Sequence, residues 1–316
     1  MTDTQLRIGI MICTAKRPKM LENCLKSLAR QDIEPGWVVE ICVVENDDDL
    51  HSREAISRSA AECPFPIHHV LETCRGIPFA RNRTLREAMD RKYDWIALID
   101  DDEVALDGWL KAHMHAVECY EADVSYGDIR QEYEQEPPKW WTSAPSIPAA
   151  IGTELRRAST GNVMFCRDIL DAPALLRFDE RLLYGYEDLD FFERAHGMGY
   201  KIVSAPDAVI IEDVPASRME PSRLLNWCRA SAASHTQVAI IRRGRRRAAV
   251  KFGLKALRRI LGGALGSGIA FVPAKLGSQT AVHAFYKFRM RMARGIGNMQ
   301  GLINTPYHYY EKIDGR

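Results

Sequence analysis

No two cysteines in this chain stand in a C-x-x-C spacing. The eight cysteines, Cys13, Cys24, Cys42, Cys63, Cys74, Cys119, Cys166 and Cys228, are scattered, several inside apolar runs. That spacing argues against a zinc site and a disulfide framework, and suits reduced, mostly buried thiols of a cytoplasmic protein. No apolar run reaches the ~18 uncharged residues of a confident transmembrane helix. Met1 to Arg7 is polar and leads straight into a strand-like run, so no signal peptide is expected. Gly9 and Gly76 build neither a G-x-G-x-x-G nor a Walker A loop, which argues against a Rossmann dehydrogenase and a P-loop enzyme. Internal repeats are lacking, and so is a net excess of charge: the formal total is +1.

What is present is an ordinary globular composition, 46% apolar over 316 residues. That is enough chain for one large α/β domain plus an appendage, or for two modest domains. The first half alternates strand and helix patterns. Ile8 to Cys13 is a short apolar run of the kind buried in a parallel sheet. Pro18 opens a helix with Met20, Leu21, Cys24, Leu25 and Leu28 on one face. A strand over Val38 to Val44, a helix over Ser52 to Ala61, a strand over Ile67 to Leu71, a helix from Pro78 and a strand over Trp95 to Ile99 follow. This order predicts an α/β fold with a doubly wound, mostly parallel sheet that binds ligands at the carboxyl ends of its strands.

The middle is less regular. Pro137, Pro138, Pro145 and Pro148 surround Trp140-Trp141, a pattern expected of a flexible or substrate-covering loop. A strand is expected over Gly161 to Cys166, a short helix over Asp168 to Leu176, and a helix over Glu187 to Met198. Two short strands, Lys201 to Ser204 and Val209 to Glu212, close the domain near Pro215.

Chemistry collects at the strand ends. Asp100-Asp101-Asp102 ends an apolar strand, where alternation puts Asp100 and Asp102 on one side and Asp101 on the other. Adjacent carboxylates repel, and a hard divalent cation, Mg²⁺ or Mn²⁺, completed by substrate phosphate and water would relieve them. A solvated acidic turn is the competing reading. Glu45-Asn46-Asp47-Asp48 ends the strand before, where a ribose or base would sit, or is a polar turn. Arg81, at a helix start behind Gly76 and Pro78, is placed to meet a diphosphate, or is a surface arginine. Glu187 and Asp188 begin another helix. One would deprotonate an acceptor hydroxyl while the other holds the acceptor, unless both merely favour the helix N-terminus.

In this order the pieces resemble the family 2 glycosyltransferases with a GT-A fold, over roughly Arg7 to Pro215. The likeness rests on Ile8 to Thr14 with Arg17-Pro18, Val43-Val44-Glu45-Asn46-Asp47, Ala80-Arg81-Asn82 and Leu98 to Glu103. It continues through Thr160-Gly161-Asn162-Val163, Phe178-Asp179-Glu180-Arg181 and Gly185-Tyr186-Glu187-Asp188. The resemblance implies that Asp100 and Asp102 are the D-x-D pair binding metal and donor diphosphate, with Asp101 also among the donor-binding residues. It puts Thr14, Arg17, Glu45, Asn46 and Asp47 at the donor nucleotide, and Arg81 near the diphosphate. Asp188 would be the general base, with Glu187 beside it on the acceptor. Cys13-Thr14-Ala15-Lys16 departs from the family's common P-T-Y-N. Pro137-Pro138-Lys139-Trp140 and Glu212 to Arg218 bring the chain closer to bacterial exopolysaccharide glycosyltransferases of the succinoglycan-assembly type. Those imply inverting transfer of a hexose from a UDP-sugar, such as UDP-glucose, to a polyprenyl-diphosphate-linked oligosaccharide.

Residues 1–215 would form the transferase domain and 216–316 a helical, basic C-terminal region. Arg242 to Arg247, with Lys251, Lys255, Arg258 and Arg259, precedes the apolar, glycine-rich stretch Ile260 to Ala274. A polybasic run beside an apolar one predicts peripheral attachment to an anionic membrane surface, at the cytoplasmic face of the inner membrane. A helical pair packed on the enzyme domain and a nucleic-acid patch are the alternatives, and no nucleic acid is expected. Two other functions compete: a sugar nucleotidyltransferase, which needs a Gly-rich, Arg-bearing loop after the first strand, and a membrane-attached glycan-binding protein without activity.

Overall fold

The computed structural model describes residues 5–138, 140–141, 149–183 and 185–305. Its first half contains β1 (Leu6–Thr14), α1 (Pro18–Leu28), β2 (Trp37–Glu45), α2 (Arg53–Glu62), β3 (Ile67–Leu71), α3 (Ile77–Asp90) and β4 (Trp95–Asp100). The chain builds β1, β2 and β3 outward in one direction, then returns through α3 to set β4 on the other side of β1, all parallel. This reversal leaves a crevice between the carboxyl ends of β1 and β4, the place where open α/β sheets bind ligands. Cys13 is paired with Asp100 in the β1–β4 register, so Thr14 and the acidic triplet begin side by side.

The second half contains β5 (Glu103–Ala105), α4 (Trp109–Tyr120), β6 (Val124–Tyr133), β7 (Glu154–Leu155), β8 (Asn162–Cys166), α5 (Glu187–Gly197) and β9 (Ile202–Val214). The strand order is β3-β2-β1-β4-β8-β6-β9-β5, with β7 on β9. Strand β8 is antiparallel to β4 and β6, while β6 and β9 are parallel. Consequently β1, β2, β3, β4, β6 and β9 all end at one edge. Along β1, Ile8, Ile10 and Ile12 face the core under α1 and α4, while Met11 faces the core under α3 and α5. Gly9 shares that second face because the Tyr93 ring occupies the space of a side chain there. Helices α6 (Pro221–Arg243), α7 (Arg245–Lys275) and α8 (Gln279–Ile303) complete the described chain.

Two sequence expectations change. The two short strands expected over Lys201 to Ser204 and Val209 to Glu212 are one strand of 13 residues, β9, which begins at Ile202. Pro206 breaks the ladder, but pairing resumes at Asp128 with Val209 after a register shift in β6. The helix expected over Asp168 to Leu176 is a 3₁₀ turn at Arg167–Ile169, since Pro173 bars a helix interior. The polybasic run from Arg245 onward and the stretch Ile260 to Ala274 are continuous in one helix, α7, which has 31 residues. Among the described residues no helix is long and apolar enough to cross a membrane. All eight cysteines are free; Cys74 and Cys119 are exposed.

Candidate active site

The triplet meets the loop after β1. Thr14, itself buried, donates its hydroxyl to Asp101 at 2.7 Å, and Arg17 lies 3.1 Å from Asp101 and 3.4 Å from Asp102. Strand alternation therefore stops at Asp100, where β4 ends: Asp101 and Asp102 occupy a turn and share one guanidinium. Arg218, just past β9, also bonds Asp102 and reaches Glu212 at 2.7 Å. Burial pushes the Asp101 carboxyl up to about 7, with Arg17 opposing. Asp100 is likewise raised by burial, against the pull of Arg81 and with the push of Asp102. Beneath them the buried Glu103 accepts the Asp100 N–H at 2.8 Å. Glycine at 161 leaves Glu103 its room, because a Cβ there would lie 2.6 Å from its carboxylate.

The second acidic segment closes on the first. Gly185 and Tyr186 both adopt positive φ, 102° and 73°, and this tight turn starts α5. A non-glycine residue held there is uncommon, and Tyr186 is supported by a stack on His235 of α6, centroids 5.3 Å apart. The turn aims Glu187 inward, where it is buried and bonded to Arg81; the same guanidinium lies 3.7 Å from Asp100. Burial pushes the Glu187 carboxyl up to about 7, with Arg81 opposing and Asp188 adding to the rise. Its Oε2 is buried with no hydrogen-bond partner among the described residues. Asp188 is half-buried and makes no ion pair among the described residues; its Oδ1 accepts the Leu189 N–H at 2.7 Å.

The end of β2 is organised differently. Glu45 is fully buried and spends its carboxylate on Ser52, through N–H and hydroxyl at 3.0 Å, and on His69 at 2.9 Å. Asn46 closes the loop before α3: its amide donates to the Glu72 and Cys74 carbonyls and accepts the Gly76 N–H. Asp47 is buried, bonded to Arg75 and 3.3 Å from Lys16. Glu45 and Asn46 thus shape the β2 end rather than face the crevice with free groups. Trp140 stacks on Tyr286 of α8 at 4.5 Å, and Trp141 meets Tyr133 edge-on. Lys139, Pro145 and Pro148 lie outside the described residues.

Metal chemistry can be tested against these donors. Among the described residues the one compact set of three potential ligands is Asp47, Asp48 and His51, with ligand atoms within 4.8 Å. Lys16 and Arg75 already supply cations there. The triplet offers two hard carboxylates, Asp100 and Asp102, without a third ligand in compact reach among the described residues. That fits a hexacoordinate cation completed by phosphate oxygens and water, and it requires Asp102 to loosen its hold on Arg17 and Arg218. Arg218 carried a likeness in the sequence but no role there. Its pairing with Asp102 spans 116 positions and leaves no local signal.

These features, an acidic strand end at the switch point of an α/β sheet and a second acidic helix start tied to it by arginine, define one charged crevice at the carboxyl ends of the strands. The family described as Glycosyl transferase family 2 matches residues 9–172. The succinoglycan biosynthesis protein ExoM of Rhizobium meliloti (strain 1021) is 31% identical over 224 residues, 69% of this chain and 70% of that protein. The chain belongs to glycosyltransferase family 2.

Solved structures agree on the GT-A fold. S. aureus TarS 1-349 in complex with UDP has a TM-score of 0.53 at 16% identity, covering 98% of this chain and 95% of that one. The Pyrobaculum calidifontis mannosyltransferase PcManGT, in complex with GDP-Man and Mn²⁺, has a TM-score of 0.55 at 17% identity, covering 93% and 87%. Against the longer TarS chain, this protein spans 40% of the length.

Proposed function

We propose that this glycosyltransferase moves a hexose from a UDP-sugar, such as UDP-glucose, to a hydroxyl of a polyprenyl-diphosphate-linked oligosaccharide, with inversion, in exopolysaccharide assembly. The observation that carries it is the union of the two acidic segments by Arg81, beside Asp188, a carboxylate with no ion pair among the described residues.

In this reading Asp188 takes the proton of the acceptor hydroxyl. The freed oxygen attacks the anomeric carbon opposite the nucleotide, the bond to the diphosphate oxygen breaks, and UDP leaves with that electron pair. One displacement inverts the centre and needs one base. The unpartnered Glu187 Oε2 accepts a further sugar hydroxyl. Arg81, Arg17 and Arg218 surround the diphosphate with guanidinium donors. Asp100 and Asp102 would hold Mg²⁺ or Mn²⁺, which supplies charge neutralisation to the departing nucleoside diphosphate. Similarity to ExoM favours exopolysaccharide assembly, and the nucleotide ligands of the solved neighbours, UDP in TarS and GDP-Man in PcManGT, support a nucleotide-sugar donor.

The test is nucleotide release from UDP-glucose, UDP-galactose and GDP-mannose, with Mn²⁺, Mg²⁺ or chelator, in the presence of lipid-linked acceptor extract. Metal-dependent, acceptor-stimulated UDP release with a product of inverted configuration is expected. Release of pyrophosphate, or turnover of GDP-mannose alone, would overturn the reading.

A further inference from the structure

Helix α7 has two faces of opposite purpose. Its inner face, with Ala248, Phe252, Ala256, Gly263, Gly266 and Ala270 buried, packs on the neighbouring helices. The glycines permit close approach: a Cβ on Gly263 would lie 2.7 Å from Met292 of α8. The outer face runs from Val250 through Leu254, Leu261, Leu265 and Ile269 to Leu276, each more than half exposed. At about 100° per residue these positions fall in one stripe opposite the packed face. Helix α7 and the residue capping it hold more than half of the exposed large apolar side chains found among the described residues. A cleft of about 350 Å³ between α7 and α8, lined by Ile269, Pro273, Ala281 and Phe288 among others, carries the apolar surface inward from the stripe.

The charge around the stripe is of one sign. No Asp or Glu occurs between Glu220 and Glu311. Arg246 and Arg247 at the N-terminal end of the stripe, and Lys251 and Arg258 on the same face between its apolar residues, are exposed and have no carboxylate partner among the described residues. A second copy of the chain would set cation against cation, and a nucleic acid would satisfy the charge but leave the leucines in water. An anionic lipid surface meets both needs.

We propose that the outer face of α7 lies in the plane of an anionic phospholipid bilayer. Its apolar stripe enters the boundary between headgroups and acyl chains, and Arg246, Arg247, Lys251 and Arg258 rest on lipid phosphates. This docking depends on no choice of donor or acceptor, and its test reads binding rather than transfer. A protein that docks but transfers nothing would leave this inference standing while removing the function proposed above.

The test is flotation of the full chain with vesicles of phosphatidylcholine alone, or with about one third phosphatidylglycerol, at low and high salt. The chain is expected to float with the anionic vesicles at least ~10-fold more tightly than with the neutral ones, and high salt should weaken it. The triple substitution Leu254→Asp, Leu261→Asp, Leu265→Asp should reduce flotation by about tenfold or more while UDP binding and the thermal midpoint stay unchanged. Arg246→Gln with Arg247→Gln and Lys251→Gln provides an independent variant, expected to lose the preference for anionic vesicles. No flotation of the unaltered chain overturns the proposal. So does full flotation of a folded leucine variant, or a concentration-dependent dimer that the leucine variant abolishes in a chain that never floats.

Discussion

Arg81, near the start of α3, donates a hydrogen bond to Glu187 at the start of α5, across 106 positions of sequence. With Asp100 at 3.7 Å, one guanidinium ties the two acidic segments together.

Removing Arg81 leaves a buried carboxylate without its cation. Arg81→Ala is expected to destabilise the protein by about 3–5 kcal/mol, measured by denaturant unfolding. The double variant Arg81→Ala with Glu187→Gln should recover most of the stability but little of the transferase activity. Recovery of both would reduce the pair to a structural role.

Arg218 and Arg17 both pair with Asp102, one of the two proposed metal ligands. Arg218→Gln should tighten Mn²⁺ binding by the nucleotide-free protein by about tenfold, the weight of one charge-assisted hydrogen bond. UDP binding should weaken in the same variant, because a donor to the diphosphate is gone. Titration calorimetry reads both.

His235 supports the turn that aims Asp188, through its stack on Tyr186. His235→Ala should lower kcat on the order of tenfold, with UDP affinity nearly unchanged, because a small misplacement of the base costs rate rather than donor binding. A change confined to KM for the donor would contradict this.

Stability should depend on pH through His113. It is fully buried, with Ser125 at 2.8 Å and Asn162 at 2.9 Å, and burial pushes its pKa down to about 4. Between the ordinary value near 6.5 and 4, the unfolded chain binds a proton that the folded chain refuses. Stability from this group is therefore complete above about pH 6.5 and falls as pH drops toward 4, by up to about 3 kcal/mol. His113→Gln should flatten that part of the profile, whatever its own cost.

The sequence made the parallel half legible because strands buried on both faces are almost wholly apolar. Ile8 to Cys13 and Trp95 to Ile99 are such runs, and the acidic triplet stands out where one stops. Strand β6 was missed because it turns polar after Asp128 as it leaves the core. Candidate residues were legible as types but not as partners. Glu45 and Asn46 have the chemistry of nucleotide ligands, but Ser52, His69 and the loop before α3 claim them. Arg75 on Asp47 and Arg218 on Asp102 are contacts between distant segments, which periodicity cannot reveal.

The central claim is that Asp188 accepts the proton while the triplet and its arginines hold the leaving group. Asp188→Asn tests it most directly, by measuring sugar transfer and UDP affinity on the same preparation. Transfer is expected to fall about 10²–10⁴-fold with UDP affinity retained. Undiminished transfer by Asp188→Asn would contradict the account.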